Sequence, residues 1–372
     1  MRLRWLLAAL LTGTLTGCTT GGAAPARPAA QPTRPATHTG SPTGPGSPAE
    51  PGSNAGPGSP AEPGSNAGPG SPAEPGSNAG PGSPAEPGSN AARAEATRAS
   101  QASAAPAVLI GAGDIATCDG TGDSRTLAVL QRFPGTVFTL GDNAYPDGSR
   151  SNFATCYGPA WGRVKARTRP AVGNHEYHSS RNATPYFDYF GAAAGPRGKG
   201  YCSYEAGAWH VVVLNTSCSS VPGGCGRGSA QEHWLRADLA AHKTACTAAM
   251  VHHPLFTSAA THPPATETRP LVQALYDAGV ELLLAGHNHV YERFAPQTPG
   301  GRRDTAHGIR EFVVGTGGAA LYPFGKVAAN SERRDHKTFG VLRLTLRPGW
   351  YRWDFLHVAG GSFTDSGTGT CH

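Results

Sequence analysis

The sequence predicts an α/β domain over residues 105–372, built from two packed β-sheets flanked by helices and preceded by a disordered spacer. Three observations carry this. Apolar runs of strand length alternate with helical segments as far as residue 285. Beyond that point the helices vanish and consecutive strands follow, an order that two packed sheets accommodate better than one doubly wound sheet. Residues 21–104, by contrast, consist mainly of Ala, Gly, Pro and Ser and contain no Val, Leu, Ile, Phe, Tyr or Trp from which a core could form.

The chain opens with Arg2 and Arg4, an apolar run from Trp5 to Leu15, and Thr16-Gly17-Cys18. This is the pattern of an export signal, too short for a stable membrane span. Leu15-Thr16-Gly17-Cys18 also resembles the bacterial lipoprotein processing box, which implies a signal peptide over 1–17 and lipidation of Cys18. That resemblance makes the protein an exported lipoprotein anchored at the cell surface by acyl chains; a cleaved, secreted form is the alternative. Behind it, the unit Ala49-Glu50-Pro51-Gly52-Ser53-Asn54 recurs from Ala61, Ala73 and Ala85. A solenoid of this period needs large apolar positions and these repeats offer only alanine, so residues 18–104 read as a semi-extended spacer.

Within the domain, Val108–Ile110 predicts the first strand, Ser124–Phe133 a helix burying Leu127, Val129 and Leu130, and Val137–Leu140 the next strand. His210–Leu214 is nearly all apolar, as strands buried on both faces are. Ser229, with Glu232 three residues on, signals a helix start that presents Trp234, Leu235 and Leu239 inward. Pro270 opens another helix carrying Leu271, Leu275 and Tyr276, which Gly279 stops. Glu281–Ala285, Ile309–Val314, Gly340–Leu346 and Trp353–Val358 complete the strands.

Charge and cysteine content narrow the function. Residues 105–372 hold 25 Lys and Arg against 20 Asp and Glu, with no dense basic stripe. This mildly favours anionic substrates and gives no reason to expect specific nucleic-acid binding. Besides Cys18 there are seven cysteines and no C-x-x-C knuckle, which points to disulfides in an oxidising compartment. Seven is odd, so one thiol is expected to be unpaired or intermolecular. Cys371 suggests a C-terminus stapled to the body.

The chemistry lies where predicted strands end. Asp114 follows the first, Asp142 and Tyr145 the second; Asn174 and His175 lie further on, His252 follows Ala248–Val251, and His287 and His289 follow Glu281–Ala285. One rim of an α/β sheet gathers such residues into one site. Carboxylates, an amide, imidazoles and a phenol together suit two metal ions used in hydrolysis. Two cations in close proximity need an anion between them, and Asp142 is the candidate because it alone has ligand-type neighbours on its own loop. His175 follows a ligand directly, so its ring is free to face the cleft as a proton donor, with Glu176 orienting it. Cys118 and Cys156 both lie just beyond ligand loops and form the candidate disulfide.

Gly113-Asp114, Gly141-Asp142-Asn143-Ala144-Tyr145, Gly173-Asn174-His175-Glu176, His252-His253-Pro254 and Gly286-His287-Asn288-His289 resemble the signature blocks of the calcineurin-like metallophosphoesterases. Among these they look most like purple acid phosphatases. The resemblance implies a four-layer αββα sandwich, a bimetal centre and phosphoester hydrolysis. It implies one metal on Asp114, Asp142, Tyr145 and His289, and the other on Asp142, Asn174, His252 and His287. It selects His252 over His253, leaving His253 to face substrate or support its loop. Many relatives carry a histidine two residues after the first aspartate; here Ala116 stands there and Tyr145 supplies the missing donor. Phenolate needs a strongly polarising ion, so the first site is expected to hold Fe(III) and the second Zn, Mn or Fe(II). After the last ligands, Glu292 and Arg293 tie down the loop, with Arg293 a candidate phosphate clamp.

These features predict an acid phosphatase-like monoesterase acting on a small phosphoester through metal-activated hydroxide, with catalytic roles for His175, Asn174 and Asp142. The alternatives are a phosphodiesterase or nucleotidase, and a non-catalytic surface binding protein on the same scaffold. The loops 179–200 and 258–269 are expected to shape the leaving-group pocket.

Overall fold

The computed structural model describes residues 17–18 and 105–372. The signal segment other than Gly17, and the repeats, lie outside these residues. The domain is an α/β sandwich of two mixed sheets flanked by helices. One sheet has six strands: β1 (Ala107–Ala112), β2 (Thr136–Leu140), β3 (Thr168–Ala171), β11 (Gly340–Arg347), β12 (Trp350–His357) and β13 (Ser366–Thr370), ordered β13-β12-β11-β1-β2-β3. The other has seven: β4 (Cys202–Ala206), β5 (Trp209–Val213), β6 (Thr247–Met250), β7 (Leu282–Ala285), β8 (Tyr291–Phe294), β9 (Arg310–Val314) and β10 (Ser331–Asp335), ordered β10-β8-β9-β7-β6-β5-β4.

Alternation along the central strands shows how the layers stack. Val211 and Val213 of β5, Ala248 and Met250 of β6, and Leu282 and Leu284 of β7 join the core shared with Leu109, Phe138 and Leu344 of the six-stranded sheet. Their neighbours Val212, Ala249, Val251 and Leu283 face the opposite way, onto Leu235, Leu239, Leu271 and Leu275. Those four belong to α3 (Ala230–Ala241) and α4 (Arg269–Asp277). A strand covered on both faces has no polar face to present, which explains the unbroken apolar run of β5. The helix signals act locally as read: the Ser229 hydroxyl accepts from the Glu232 N–H at 3.2 Å, and Pro270 sits in the first turn of α4. The Glu232 carboxylate accepts the Gly228 N–H rather than that of Ser229.

The first helix, α1 (Gly122–Leu130), begins two residues before the expected start and ends short of Phe133. α2 (Thr184–Phe190) lies in the segment between β3 and β4, and it buries Tyr186, Phe187 and Phe190. The edges β3, β4, β10 and β13 carry little apolar pattern of their own. Pro170 in β3 is tolerated because an edge strand leaves one side without ladder bonds.

All eight cysteines are paired: Cys18–Cys202, Cys118–Cys156, Cys218–Cys225 and Cys246–Cys371. This corrects the expected odd thiol, because the residue left out of the count, Cys18, is the partner of Cys202. It also counts against the lipid-anchor reading and favours the secreted alternative. Lipidation needs the Cys18 sulfur for a thioether, and here that sulfur is committed to β4, with the Cys18 N–H donating to the Ser203 carbonyl at 2.9 Å. Four disulfides are the chemistry of an exported protein rather than a reducing compartment. The C-terminus is fastened to the start of β6 through Cys371.

Candidate metal centre

Every ligand-type residue stands at the C-terminal end of a strand. Asp114 follows β1, Asp142 and Tyr145 follow β2, and Asn174 follows β3, all from the six-stranded sheet; His252 follows β6, and His287 and His289 follow β7, from the other. The centre therefore bridges the two sheets at one rim. Asp114, Asp142 and His287 adopt positive φ (59°, 48° and 67°), a region that L-residues avoid. Such backbone is held only where its surroundings over-determine it, as at functional sites. The preceding glycines admit the close approach. A Cβ on Gly173 would stand 2.2 Å from Asp142 Oδ1, and one on Gly286 2.8 Å from Asp114 Oδ2.

Two donor groups share one carboxylate. In the first, Tyr145 Oη lies 3.1 Å from Asp114 Oδ1, 3.2 Å from Asp142 Oδ2 and 2.9 Å from His289 Nε2. In the second, His252 Nε2 lies 2.9 Å from Asn174 Oδ1, 3.3 Å from Asp142 Oδ2 and 3.2 Å from His287 Nδ1. Donors bound to one cation at about 2.1 Å stand about 3 Å apart, so both groups have the spacing of a coordination shell. The far nitrogens are fixed from behind: His252 Nδ1–H donates to the Leu140 carbonyl and His289 Nδ1–H to the Ala320 carbonyl, each at 2.7 Å. With Nδ1 spent on a carbonyl, each ring when neutral would turn its Nε2 lone pair toward the centre, the arrangement usual for metal-bound histidine.

Electrostatics agree with a site made for cations. Burial and the charges of Asp142 and Asp114 push the Tyr145 phenol well above its usual range. Burial raises Asp142 too, yet His252 and His175 hold it far below the usual carboxylate range. His252 rises to about 9 through Asp142 against the effect of burial. Burial and the neighbouring His252 and His253 depress His287. Packed anions and imidazoles of this kind frustrate one another until positive charge enters between them.

Glu176 is the residue that ties the two halves together. It is fully buried, and it accepts N–H groups of Asn143 (2.7 Å), Ala144 (3.4 Å), Asp142 (3.1 Å) and Gly173 (2.7 Å). Burial and Asp142 push it up to about 7, while these donors and His252 pull it down. The expectation that Glu176 orients His175 is corrected: its oxygens are spent on the Asp142 and Asn174 loops. His175 is oriented instead by the Pro146 carbonyl, which accepts from Nδ1–H at 2.5 Å. Its backbone N–H donates to Asp142 Oδ1 at 2.9 Å, its Nε2 lies 3.8 Å from Asp142 Oδ2, and its ring packs on Tyr145 and His178.

His253 hydrogen-bonds Thr216 at 3.1 Å and packs against His252 and His287. Glu292 fastens the 258 loop, accepting the Ser258 N–H at 2.7 Å and the Ser258 and Ser331 hydroxyls. Arg293 does not clamp phosphate. Its guanidinium is held by Asp365 and Glu332 and lies 5.0 Å over the Trp353 ring. As the second residue of β8 after Tyr291, it cannot leave those partners without losing two ion pairs. Two residues not singled out from sequence reach the centre: His262 packs on His287 at 4.3 Å, and Tyr322 stacks on His289 at 4.0 Å. His262 belongs to the loop expected to shape the pocket; Tyr322 follows a glycine-rich turn with no pattern to mark it. A further grouping between β5 and α3 is a closed network, His210 being held by Glu205 (2.7 Å) and Asp238 (2.8 Å).

Known proteins match this description. The calcineurin-like phosphoesterase family model matches residues 108–291, an interval that includes all seven ligand-type residues. Purple acid phosphatase 21 of Arabidopsis thaliana is 31% identical over 208 residues, covering 50% of this chain and 44% of that protein. Purple acid phosphatase 23 of the same plant is 30% identical over 151 residues, covering 36% and 32%. The chain thus spans less than half the length of these relatives. Among solved structures, a purple acid phosphatase from yellow lupin (Lupinus luteus) seeds has a TM-score of 0.61 at 18% identity, covering 72% of this chain and 54% of that one. GAP50, the anchor in the inner membrane complex of Plasmodium, has a TM-score of 0.56 at 11% identity, covering 72% and 90%. These structural matches show the fold. The family match and the clustered metal-binding residues place residues 108–291 in the calcineurin-like metallophosphoesterase superfamily.

Proposed function

We propose that the chain hydrolyses phosphate esters at a two-cation centre, with Asp142 shared between the cations. The observation that carries this is the position of Asp142 Oδ2, 3.2 Å from Tyr145 Oη on one side and 3.3 Å from His252 Nε2 on the other. Asp114, Tyr145 and His289 complete one site, and Asn174, His252 and His287 the other. The phenol favours Fe(III) in the first; imidazoles and an amide suit Zn, Mn or Fe(II) in the second. When bound, the cations supply a water of lowered pKa and neutralise ester oxygens. The chain's own residues do the rest. Asn174 presents its amide beside the reacting ester. His175, anchored at Nδ1, offers Nε2 on the open side, where a proton held on it passes to the departing alkoxide.

Monoester and diester readings differ in the space beside the centre. A small monoester leaving group fits a narrow slot, whereas the larger groups carried by diesters and nucleotides need room beside the centre. A cavity of about 450 Å³ adjoins Asn174 and His253, which supports a phosphodiesterase or nucleotidase over an acid phosphatase-like monoesterase.

Metal analysis with parallel turnover of aryl phosphate monoesters and diesters tests the proposal. The expected result is about two metals per chain, at least one of them iron, and faster turnover of the diester. A ferric phenolate absorbs visible light, so Tyr145→Phe should abolish that band. An active protein loaded only with zinc or manganese would refute the iron assignment alone. A metal-loaded protein inert toward both ester classes would leave the surface-binding reading.

A further inference from the structure

Resting on the phosphoesterase reading, we propose that the cavity beside Asn174 is a leaving-group subsite for a neutral or cationic group rich in hydroxyls, a polyol or its amino derivative. Glu267 is its filter against anionic leaving groups.

The cavity, about 450 Å³, has the size of a small-molecule site. Asn174 and His253 of the centre share it with Ser217, Ser219, Ser220 and Glu267. A substrate with its phosphorus at the centre has this space for what departs. Ser219 is exposed and Ser220 half-buried, so both offer hydroxyls to this space, while the Ser217 hydroxyl is sealed within the wall without a hydrogen-bond partner.

The wall is built before any ligand arrives. The Ser217 N–H donates to Asn215 Oδ1 at 3.1 Å. Asn215 is clamped by Gln231, whose Oε1 accepts the Asn215 N–H (2.8 Å) and whose amide donates to the Asn215 carbonyl (2.9 Å). The Cys218–Cys225 bridge closes the same loop. Hydroxyls held this way lose little freedom on binding, so their hydrogen bonds favour a ligand with matching hydroxyls.

Charge sets the exclusion. Glu267 brings a carboxylate and no Lys or Arg lines the cavity, so a second phosphate there would face a like charge with no counter-ion. Tyr177 and His178 are the remaining rings in the lining: the Tyr177 hydroxyl is held by Asn215 Nδ2 at 2.8 Å, and His178 packs on His175. A wall of hydroxyls suits a polyol better than a flat base.

The test uses the full metal-loaded chain with glycerol phosphate and glycerophosphocholine, pyrophosphate, a 3′,5′-dinucleotide and phenyl phosphate. Glycerol esters should have the higher kcat/KM, with pyrophosphate the poorest. Glu267→Lys should raise kcat/KM for pyrophosphate about tenfold and leave phenyl phosphate nearly unchanged. Ser219→Ala combined with Ser220→Ala should raise KM for the glycerol esters about fivefold with kcat held. Preference for the dinucleotide or phenyl phosphate, or substrate ratios that ignore both substitutions, would overturn the proposal. If no ester is turned over, the hydrolytic reading fails and calorimetry decides the subsite. Tighter binding of glycerol phosphate than pyrophosphate, weakened by Ser219→Ala with Ser220→Ala, would uphold it, and equal binding would end it.

Discussion

Glu176→Gln should damage the centre without touching any proposed ligand. The Glu176 carboxylate accepts four N–H groups in pairs, Asn143 and Ala144 on Oε1, Asp142 and Gly173 on Oε2. Glutamine keeps one acceptor oxygen and turns the other into an NH₂ group. Whichever way the amide faces, two buried N–H groups lose their acceptor and meet a donor instead. At about 1–3 kcal/mol for each unsatisfied buried donor, the cost is about 2–6 kcal/mol, comparable to the stability of an ordinary domain. The strained Asp142 and the Asn174 loop beside it are what the carboxylate holds in register, so metal affinity should fall about 10- to 100-fold, as with other supports of ligand shells. Denaturant unfolding and metal content per chain, measured on the same preparations, give the two readouts. Wild-type midpoint and full metal occupancy in Glu176→Gln would refute the reasoning. Loss of stability with wild-type metal affinity in the surviving fold would reduce Glu176 to a purely structural role.

Three further outcomes follow from the same structure. Asp142→Asn should lower metal occupancy and activity far more than Glu292→Gln, because only Asp142 offers its charge to both donor groups; equal occupancy in the two variants would show the shared carboxylate misassigned. Burial pushes Glu311 up to about 8 against its Leu255 and Phe256 N–H donors, so the folded chain keeps a proton that the unfolded chain releases above about 4.5. Its contribution is therefore fully present below that pH and lost as pH rises through 8, on the order of 5 kcal/mol in all, and Glu311→Gln should flatten the stability profile over that window; an unchanged profile would count against it. Finally, peptide mapping of the exported protein under non-reducing conditions should recover Cys18 linked to Cys202, and Cys202→Ser should expose one free thiol. An acylated Cys18 with a free Cys202 would restore the lipid anchor.

Much of this architecture is legible in the sequence because its signals are local. Strand β5 announces itself by its nearly unbroken apolar run, α3 by its Ser229 cap, and most of the ligand-type residues by following apolar runs directly, Asn174 and Tyr145 excepted. Where a strand ends is a property of a few neighbouring residues, so Asp114, Asp142, His252, His287 and His289 stand out before any fold is known, while the choice of Tyr145 and of His252 over His253 leans on the resemblance. The edges β10 and β13, with sequences SERRD and SGTGT, carry no such signal; they are strands only because β8 and β12 present free ladder groups to them.

What tertiary structure alone decided are the partnerships between distant residues. Arg293 looks like a phosphate ligand from its place after His289, yet Asp365, 72 positions on, claims its guanidinium. Glu176 looks like a partner for the adjacent His175, yet the Asp142 loop lies nearer in space than its neighbour's ring. Cys18 looks like a lipid attachment point, and its thiol meets Cys202 across a separation of 184 residues. In each case the local sequence fixes what a side chain is able to do, and the packing of two sheets against each other fixes which group it meets, because hydrogen bonds, ion pairs and disulfides act over a few ångströms irrespective of distance along the chain.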